Sequence, residues 1–190
     1  TGVKTCALPI SNLKKYNAEM SSPDEVLVAW GYDISAIGKP LNKEILDTIS
    51  TSRPILVWDS SEHNCFANTV ALTKYDITGE KAKSVLGAKI GADGTPTGEF
   101  YGVFATTMML SKALDGLMTP EVALKSFQYV SDLSQQNGIT TMSELDLGST
   151  NIDAEVALHR KFASSPILNQ RMVVVSNNVL FSQTYGSDAV

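Results

Sequence analysis

The chain carries few side chains able to do chemistry near neutral pH, and they are spread out rather than clustered. Histidine occurs twice, as His63 and His159, and cysteine twice, as Cys6 and Cys65. His63 is the most informative of these. It sits in the polar run Asp59-Ser60-Ser61-Glu62-His63-Asn64, directly after the apolar run Ile55-Leu56-Val57-Trp58. A histidine placed there can donate to a substrate carbonyl, bind a metal or shuttle a proton. The plainer use is a ring bond to a backbone carbonyl. Asn68, a few residues on, is either a second polar contact or a solvated helix residue. Glu144 follows the strand-like residues 139–142 and suits a ligand, base or acceptor role, or simple pairing with a cation at a strand rim. Asp59 has similar standing. His159, beside Arg160 and Lys161, reads as an ordinary helix residue. Cys65, at a predicted helix start, is open to a lowered pKa, but no second histidine is placed to pair with it, so a buried structural thiol is expected.

Several chemistries are excluded outright. Two histidines cannot build a three-histidine zinc site, and two cysteines cannot build a four-cysteine one. There is no G-x-S-x-G, P-loop, H-E-x-x-H or H-x-H, and Gly91, Gly94 and Gly98 lack the dinucleotide-binding spacing. With 20 acidic and 15 basic residues the net charge is −5, the wrong sign for a nucleic-acid partner. Of the 190 residues, 43% are hydrophobic and 18% charged, which is ample for a packed core. No apolar run approaches the ~20 residues needed to cross a bilayer, so no membrane association is expected. No signal-peptide pattern is visible at the start, which favours the cytoplasm. The first residues, Thr-Gly-Val, carry no methionine, and an internal piece of a longer protein is expected.

These residues need strands and helices to position them. Residues 26–30, 54–58, 139–142 and 171–175 read as short apolar strands. Near-continuous apolarity marks strands buried on both faces, hence a parallel sheet. Helices are predicted over 43–50, over 65–74 with Asn64 as cap, over 104–114, after the Thr119-Pro120-Glu121 start, and over 152–163. Asn137-Gly138 reads as a helix stop. Glycine recurs from 79 to 102, and Asp93-Gly94 is a turn signal, so residues 88–101 form a hairpin on an insertion or lid. The fold class is α/β: part of a (β/α)8 TIM barrel with a glycine-rich β-hairpin insertion, or a small open sheet. The expected division is 1–74 for the first βα units, 75–102 for the insertion or lid, and 103–190 for further βα units. In such folds function collects after the C-terminal strand ends. That rule selects Gly31-Tyr32-Asp33, then Asp59 with Glu62, His63 and Asn64, then Ser143, Glu144 and Asp146, then Ser176, Asn177 and Asn178.

Taken in order, these segments resemble the middle of an amidohydrolase-superfamily enzyme, of the amidohydrolase 3 branch that includes N-substituted formamide deformylases. Trp30-Gly31-Tyr32-Asp33, Leu46-Asp47 and Arg53-Pro54 are similar to the family's W-G-Y-D, L-D and R-P-V. His63 with Asn68 and Ala71-Leu72 resembles G-H-x-x-x-x-N-x-x-A-L. Asp93 to Gly98 resembles D-G-x-P-T-G, Gly138 to Thr141 with Glu144 resembles G-(I/Y)-T-T-x-x-E, and Arg171-Met172-Val173 resembles the family's R-V. In one place the chain departs: many relatives read T-G-(V/E)-L-x-E, whereas Thr97-Gly98-Glu99-Phe100-Tyr101-Gly102 puts glycine at the second acid. No role is carried onto Glu99.

The resemblance implies a metal-dependent barrel hydrolase that cleaves amide-type C–N bonds with metal-activated water. It also implies a divalent metal, zinc, in the full-length parent. The family's metal ligands, an H-x-H pair, a lysine, two further histidines and an aspartate, find no match here. This chain would supply pocket wall and lid, with no metal of its own and no catalytic residue. The substrate contacts implied are His63, Glu144, Trp30, Tyr32, Asp33 and Asn68, facing a small amide-type molecule. Severed barrel strands leave open edges, so a homo-oligomer is expected. A self-contained α/β ligand-binding module without catalysis, or a degenerate non-catalytic paralogue, are the rival readings.

Overall fold

The computed structural model describes residues 7–114, 119–148 and 152–176. Contacts divide the chain into two units, Thr1–Ala113 and Leu114–Val190.

The first unit opens with helix α1 (Ala7–Glu19) and strand β1 (Leu27–Tyr32). Two short helices follow, α2 (Ile34–Ile37) and α3 (Lys43–Asp47), then β2 (Ile55–Asp59), β3 (Asn64–Ala67), α4 (Thr69–Lys74) and α5 (Gly79–Lys83). The hairpin β4 (Ala88–Ile90) and β5 (Pro96–Tyr101) leads into helix α6 (Val103–Leu114). The strands form one sheet in the order β1-β2-β3-β5-β4. β1 runs parallel to β2, and the other pairings are antiparallel.

Three expectations are corrected here. The sheet is mixed rather than parallel, and the described residues show no closed barrel. The stretch 65–67 is a strand, not the start of a helix. Cys65, Phe66 and Ala67 are fully buried between β2 and β5, and that two-sided burial outweighs the weak helical pattern. The helix begins four residues later than expected, capped by Asn68 instead of Asn64. The glycine-rich hairpin forms as expected, but it extends the sheet through β3 instead of standing apart as a lid.

Both sheet faces are covered. Leu56, Trp58, Cys65, Ala67 and Phe100 pack against apolar residues of α4, α5 and α6. Leu27, Ile55, Val57 and Phe66 pack against Leu13 of α1, Leu46 of α3 and Tyr32. Every residue of β2 is therefore buried within its own unit. Arg53 ties the edge together. Its guanidinium donates to Asn17 Oδ1 (2.8 Å), to the carbonyls of Glu25 (3.0 Å) and Met20 (3.2 Å), and to that of Ser22.

The second unit holds α7 (Pro120–Gln136), β6 (Thr141–Leu147), α8 (Ile152–Ala163) and β7 (Arg171–Ser176). Thr119 caps α7, its Oγ1 accepting from Val122 N–H, with proline at the helix start as the sequence predicts. Asn137 ends the helix and Gly138 follows at φ +72°. β6 and β7 pair in parallel. Phe127 stacks on Phe162 with centroids 3.4 Å apart, and His159 meets Phe127 edge-on while bonding the Glu155 carbonyl through Nδ1 (2.8 Å). That is the ordinary helix role expected of it. Val173, Val174 and Val175 of β7 stay 52%, 41% and 46% exposed.

Candidate functional site

A cleft of about 440 Å³ opens in the first unit beside the C-terminal end of β1. Its walls come from α1 (Pro9, Asn12, Leu13, Tyr16), from β1 and its exit (Ala29 to Asp33), from α2 (Ala36, Ile37) and from Val57 of β2. Three predicted contact residues, Trp30, Tyr32 and Asp33, line it together.

The strand builds this wall by breaking its own alternation. Leu27 pairs with Ile55 and Ala29 with Val57, but the next partner of Asp59 is Tyr32, so β1 spends one extra residue there. Gly31 absorbs the kink at φ +91°, a backbone that an L side chain adopts only with strain. The bulge brings Tyr32 onto the same face as Leu27 and Ala29, where its ring meets Phe66 edge-on at 5.8 Å and its hydroxyl donates to Lys39 O (2.9 Å). Trp30, left at the kink, is 67% exposed. Asp33 caps α2: its Oδ1 accepts from Ala36 N–H (2.9 Å) and from the Ser35 hydroxyl (2.6 Å). Thus Tyr32 and Asp33 are held rigidly by the protein, while the Trp30 indole stands open at the rim.

His63 stands in the turn between β2 and β3, at the same end of the sheet, because the Ser60 N–H donates to Tyr32 O (2.9 Å). It is not among the residues lining the cleft. A carbonyl only accepts, so the 2.7 Å contact with Ser61 O assigns the proton to Nδ1 and leaves Nε2 as the acceptor of the neutral ring. Asp59 organises this turn. Although 4% exposed, it accepts from the Ser61 hydroxyl (2.9 Å to each oxygen), from Asn64 N–H (3.2 Å) and from Asn64 Nδ2 (2.5 Å).

Asn68 is fully buried and committed to the protein. Its Oδ1 accepts from Ile55 N–H and Ala71 N–H, both at 2.9 Å. Its Nδ2 donates to Ser50 O (3.0 Å) and Arg53 O (2.9 Å). The amide closes the last rung between β2 and β3 and caps α4, which uses every bond a substrate would need.

Glu144 belongs to the second unit. It lies within β6, not past its end, because the parallel ladder to β7 continues through Glu144↔Val174 to Leu147↔Ser176. The ladder skips one residue after Glu144, and there its Oε1 accepts from Asp146 N–H (3.0 Å). Ser176 ends β7; Asn177, Asn178 and Cys6 lie outside the described residues.

Two sets of neighbours were not foreseen from the sequence. Asn12 and Tyr16 of α1 reach the cleft from a helix without any motif; only their one-turn spacing hinted at a shared face. Glu99, 5% exposed, receives two bonds from Lys89 Nζ (2.9 and 3.0 Å) and one from the Tyr101 hydroxyl (2.5 Å). Burial, reinforced by that carboxylate, pushes the Tyr101 phenol well above its ordinary range. The turn alone did not signal this: its register pairs Ile90 with Pro96, and only the irregularity between that pair and Ala88↔Phe100 brings Lys89 beside Glu99. Cys65 is buried, and burial likewise pushes its thiol far up, which makes it structural rather than nucleophilic.

Among the described residues no group of three or more His, Cys, Asp or Glu side chains is arranged to hold a metal ion. The described residues therefore offer no ligand set of their own for the metal that the family resemblance implies for the parent. Among the described residues no helix is long and apolar enough to cross a membrane.

Two solved structures are similar in fold. One is an uncharacterized metal-dependent hydrolase from Pyrococcus furiosus: TM-score 0.53, 15% identity, over 95% of this chain and 34% of that one. The other is an uncharacterized metal-dependent hydrolase from Pyrococcus horikoshii OT3: TM-score 0.54, 12% identity, over 92% of this chain and 32% of that one. The likeness is one of fold. The chain spans about a third of the length of each. No protein-family model matches the sequence, and no curated protein matches it.

Proposed function

We propose that this chain is part of a metal-dependent hydrolase, in which it forms substrate-facing wall while other parts of the protein hold the metal. The observation that carries the reading is the cleft at the C-terminal end of β1, lined by the residues of the W-G-Y-D motif. β1 and β2 are the parallel pair of that sheet, and the C-terminal ends of parallel strands are where α/β folds place their ligands. The solved structures that share the fold over almost all of this chain are both metal-dependent hydrolases about three times its span. The finer reading is an amidohydrolase of the amidohydrolase 3 branch, a (β/α)8 barrel with zinc, acting on an amide-type C–N bond.

In that reading the chain's own residues bind and orient. Trp30 offers an open aromatic face. Tyr32 and Asp33, fixed by Phe66, Lys39 and the cap of α2, shape the floor. His63, with Nδ1 engaged, presents Nε2 as an acceptor for a substrate N–H. Glu144 is a further candidate contact from the second unit. Pairing with a second copy would cover Val173, Val174 and Val175.

The test uses the full-length parent. Its metal content and its hydrolysis of a panel of N-acyl and N-formyl amines are measured before and after chelation. The reading expects chelator-sensitive hydrolysis, and a His63→Ala variant with lower turnover and an unchanged melting temperature. A parent that binds such compounds but never hydrolyses them, with metal supplied, would replace the enzyme with the ligand-binding module.

A further inference from the structure

Helix α7 carries two faces that could pack. One is used within the second unit: Ala123, Ser131 and Ser134 are buried on it, and Phe127 stacks on Phe162. Ser131 also donates from Oγ to Gln170 Oε1 (2.9 Å). About a third of a turn round the axis runs a second row. Val122, Ser126, Tyr129, Val130 and Leu133 stand at i, i+4, i+7, i+8 and i+11, the spacing that aligns residues on one side of a helix. Tyr129 is 69% exposed, and Val122, Val130 and Leu133 lie between 43% and 47%. The outer side of a surface helix is ordinarily polar, so a row of large apolar side chains there marks a surface that something covers.

The shape and charge of the row say what that is. Val122, Lys125, Ser126 and Tyr129 stand at i, i+3, i+4 and i+7, the four corners of a hole that accepts one side chain of a facing helix. With Val130 they line a shallow groove of about 370 Å³. The row is also its own complement. Reversed end for end about the midpoint between Phe127 and Gln128, Val122 mirrors Leu133 and Ser126 mirrors Tyr129. An antiparallel copy therefore sets the large Tyr129 against the small Ser126, and Val122 against Leu133, each of them twice. The flank agrees. Lys125 and Asp132 lie on the same side of the row, and a twofold axis brings that side against its own copy, so Lys125 comes opposite the partner's Asp132. Neither residue makes a salt bridge among the described residues; Asp132 accepts from Gln128 Nε2 (2.7 Å), and Lys125 lies one turn beyond Glu121.

We infer that the outer face of α7 is a self-association surface, on which a second copy of this chain docks antiparallel across a twofold axis, with Tyr129 entering the hole around Ser126 and Lys125 facing the partner's Asp132. The inference goes beyond the hydrolase reading and does not depend on it. It also names a contact separate from strand pairing at β7. A 17-residue helix is about 25 Å long, which limits the contact to the low end of specific interfaces. A dissociation constant on the order of 1–100 µM is therefore expected.

Sedimentation velocity of the full-length parent over about 1–200 µM tests this, with circular dichroism and the urea midpoint as checks on folding. A monomer–dimer equilibrium is expected. Tyr129→Lys, at an exposed position, should weaken the dimer by at least about tenfold and leave the fold intact. Lys125→Glu sets carboxylates face to face at both symmetric positions and should weaken it on the order of 2- to 10-fold. Adding Asp132→Lys to that variant reverses both charges and should restore the dimer. Val174→Lys, on β7, should leave it unchanged. A monomer throughout the range would overturn the inference, as would a dimer indifferent to Tyr129→Lys or one lost on Val174→Lys. A double variant no tighter than Lys125→Glu alone would overturn the antiparallel arrangement, and the inference with it. Hydrolysis is not read, so each of these outcomes leaves the hydrolase reading where it stood.

Discussion

Replacing Asn68 by alanine separates a structural amide from a substrate contact. The side chain is fully buried, and the substitution strands two donors, the N–H groups of Ile55 and Ala71, at residues that are themselves fully buried. It also removes the donor to the carbonyls of Ser50 and Arg53, a smaller loss because a carbonyl tolerates an empty lone pair better than an N–H tolerates none. A buried donor left unpaired costs about 1–3 kcal/mol, so two cost about 2–6 kcal/mol. Against a domain stability of about 5–15 kcal/mol, that is a large fraction. Urea unfolding followed by the fluorescence of buried Trp58 reads it. With a slope of about 1–3 kcal/mol per molar urea, the midpoint should fall by on the order of 1–2 M or more. Asn68→Asp retains the acceptor but turns an oxygen toward two carbonyls. Its folded carboxyl should therefore titrate above the unfolded value near 4. Both states are protonated at low pH, and the variant should lose stability as pH rises past that value. A loss below about 1 kcal/mol for Asn68→Ala, combined with a sharp drop in ligand binding, would refute the structural account and return Asn68 to the site.

Two further outcomes are expected. Gly98→Ala forces a side chain onto a residue at φ +84° whose Cβ would run into Ala67 O and crowd Lys43. It should destabilise the first unit by at least about 1–2 kcal/mol, and a neutral melting temperature would disprove that close approach. For Cys65, burial raises the folded thiol above the unfolded value near 8.5. Below that value both states are protonated; above it only the unfolded chain gives up its proton, so stability should fall with rising pH by up to about 1.4 kcal/mol per unit. Urea midpoints at pH 7 and pH 10 check this, and a Cys65→Ala variant with the same pH slope as the parent sequence would remove the thiol as its cause.

The sequence alone determined the elements whose signals are local. The Thr119-Pro120 start and Asn137-Gly138 stop of α7 depend on backbone groups a few residues away, so their chemistry is complete within the segment. The apolar runs at β1, β2 and β7, the hairpin turn at Asp93-Gly94 and the grouping of Trp30, Tyr32 and Asp33, neighbours in sequence that line one cleft, were legible for the same reason. Tertiary structure decided the rest. Whether Cys65-Phe66-Ala67 lies in a helix or a strand turned on β2 and β5 closing over both its faces, which no short-range pattern encodes. The role of Asn68 turned on where Ser50, Arg53 and Ile55 arrive from earlier in the chain. The cleft needed α1 to bring Asn12 and Tyr16 against the end of β1. Local bonding is written into neighbouring residues; burial and cavities exist only once distant segments have met.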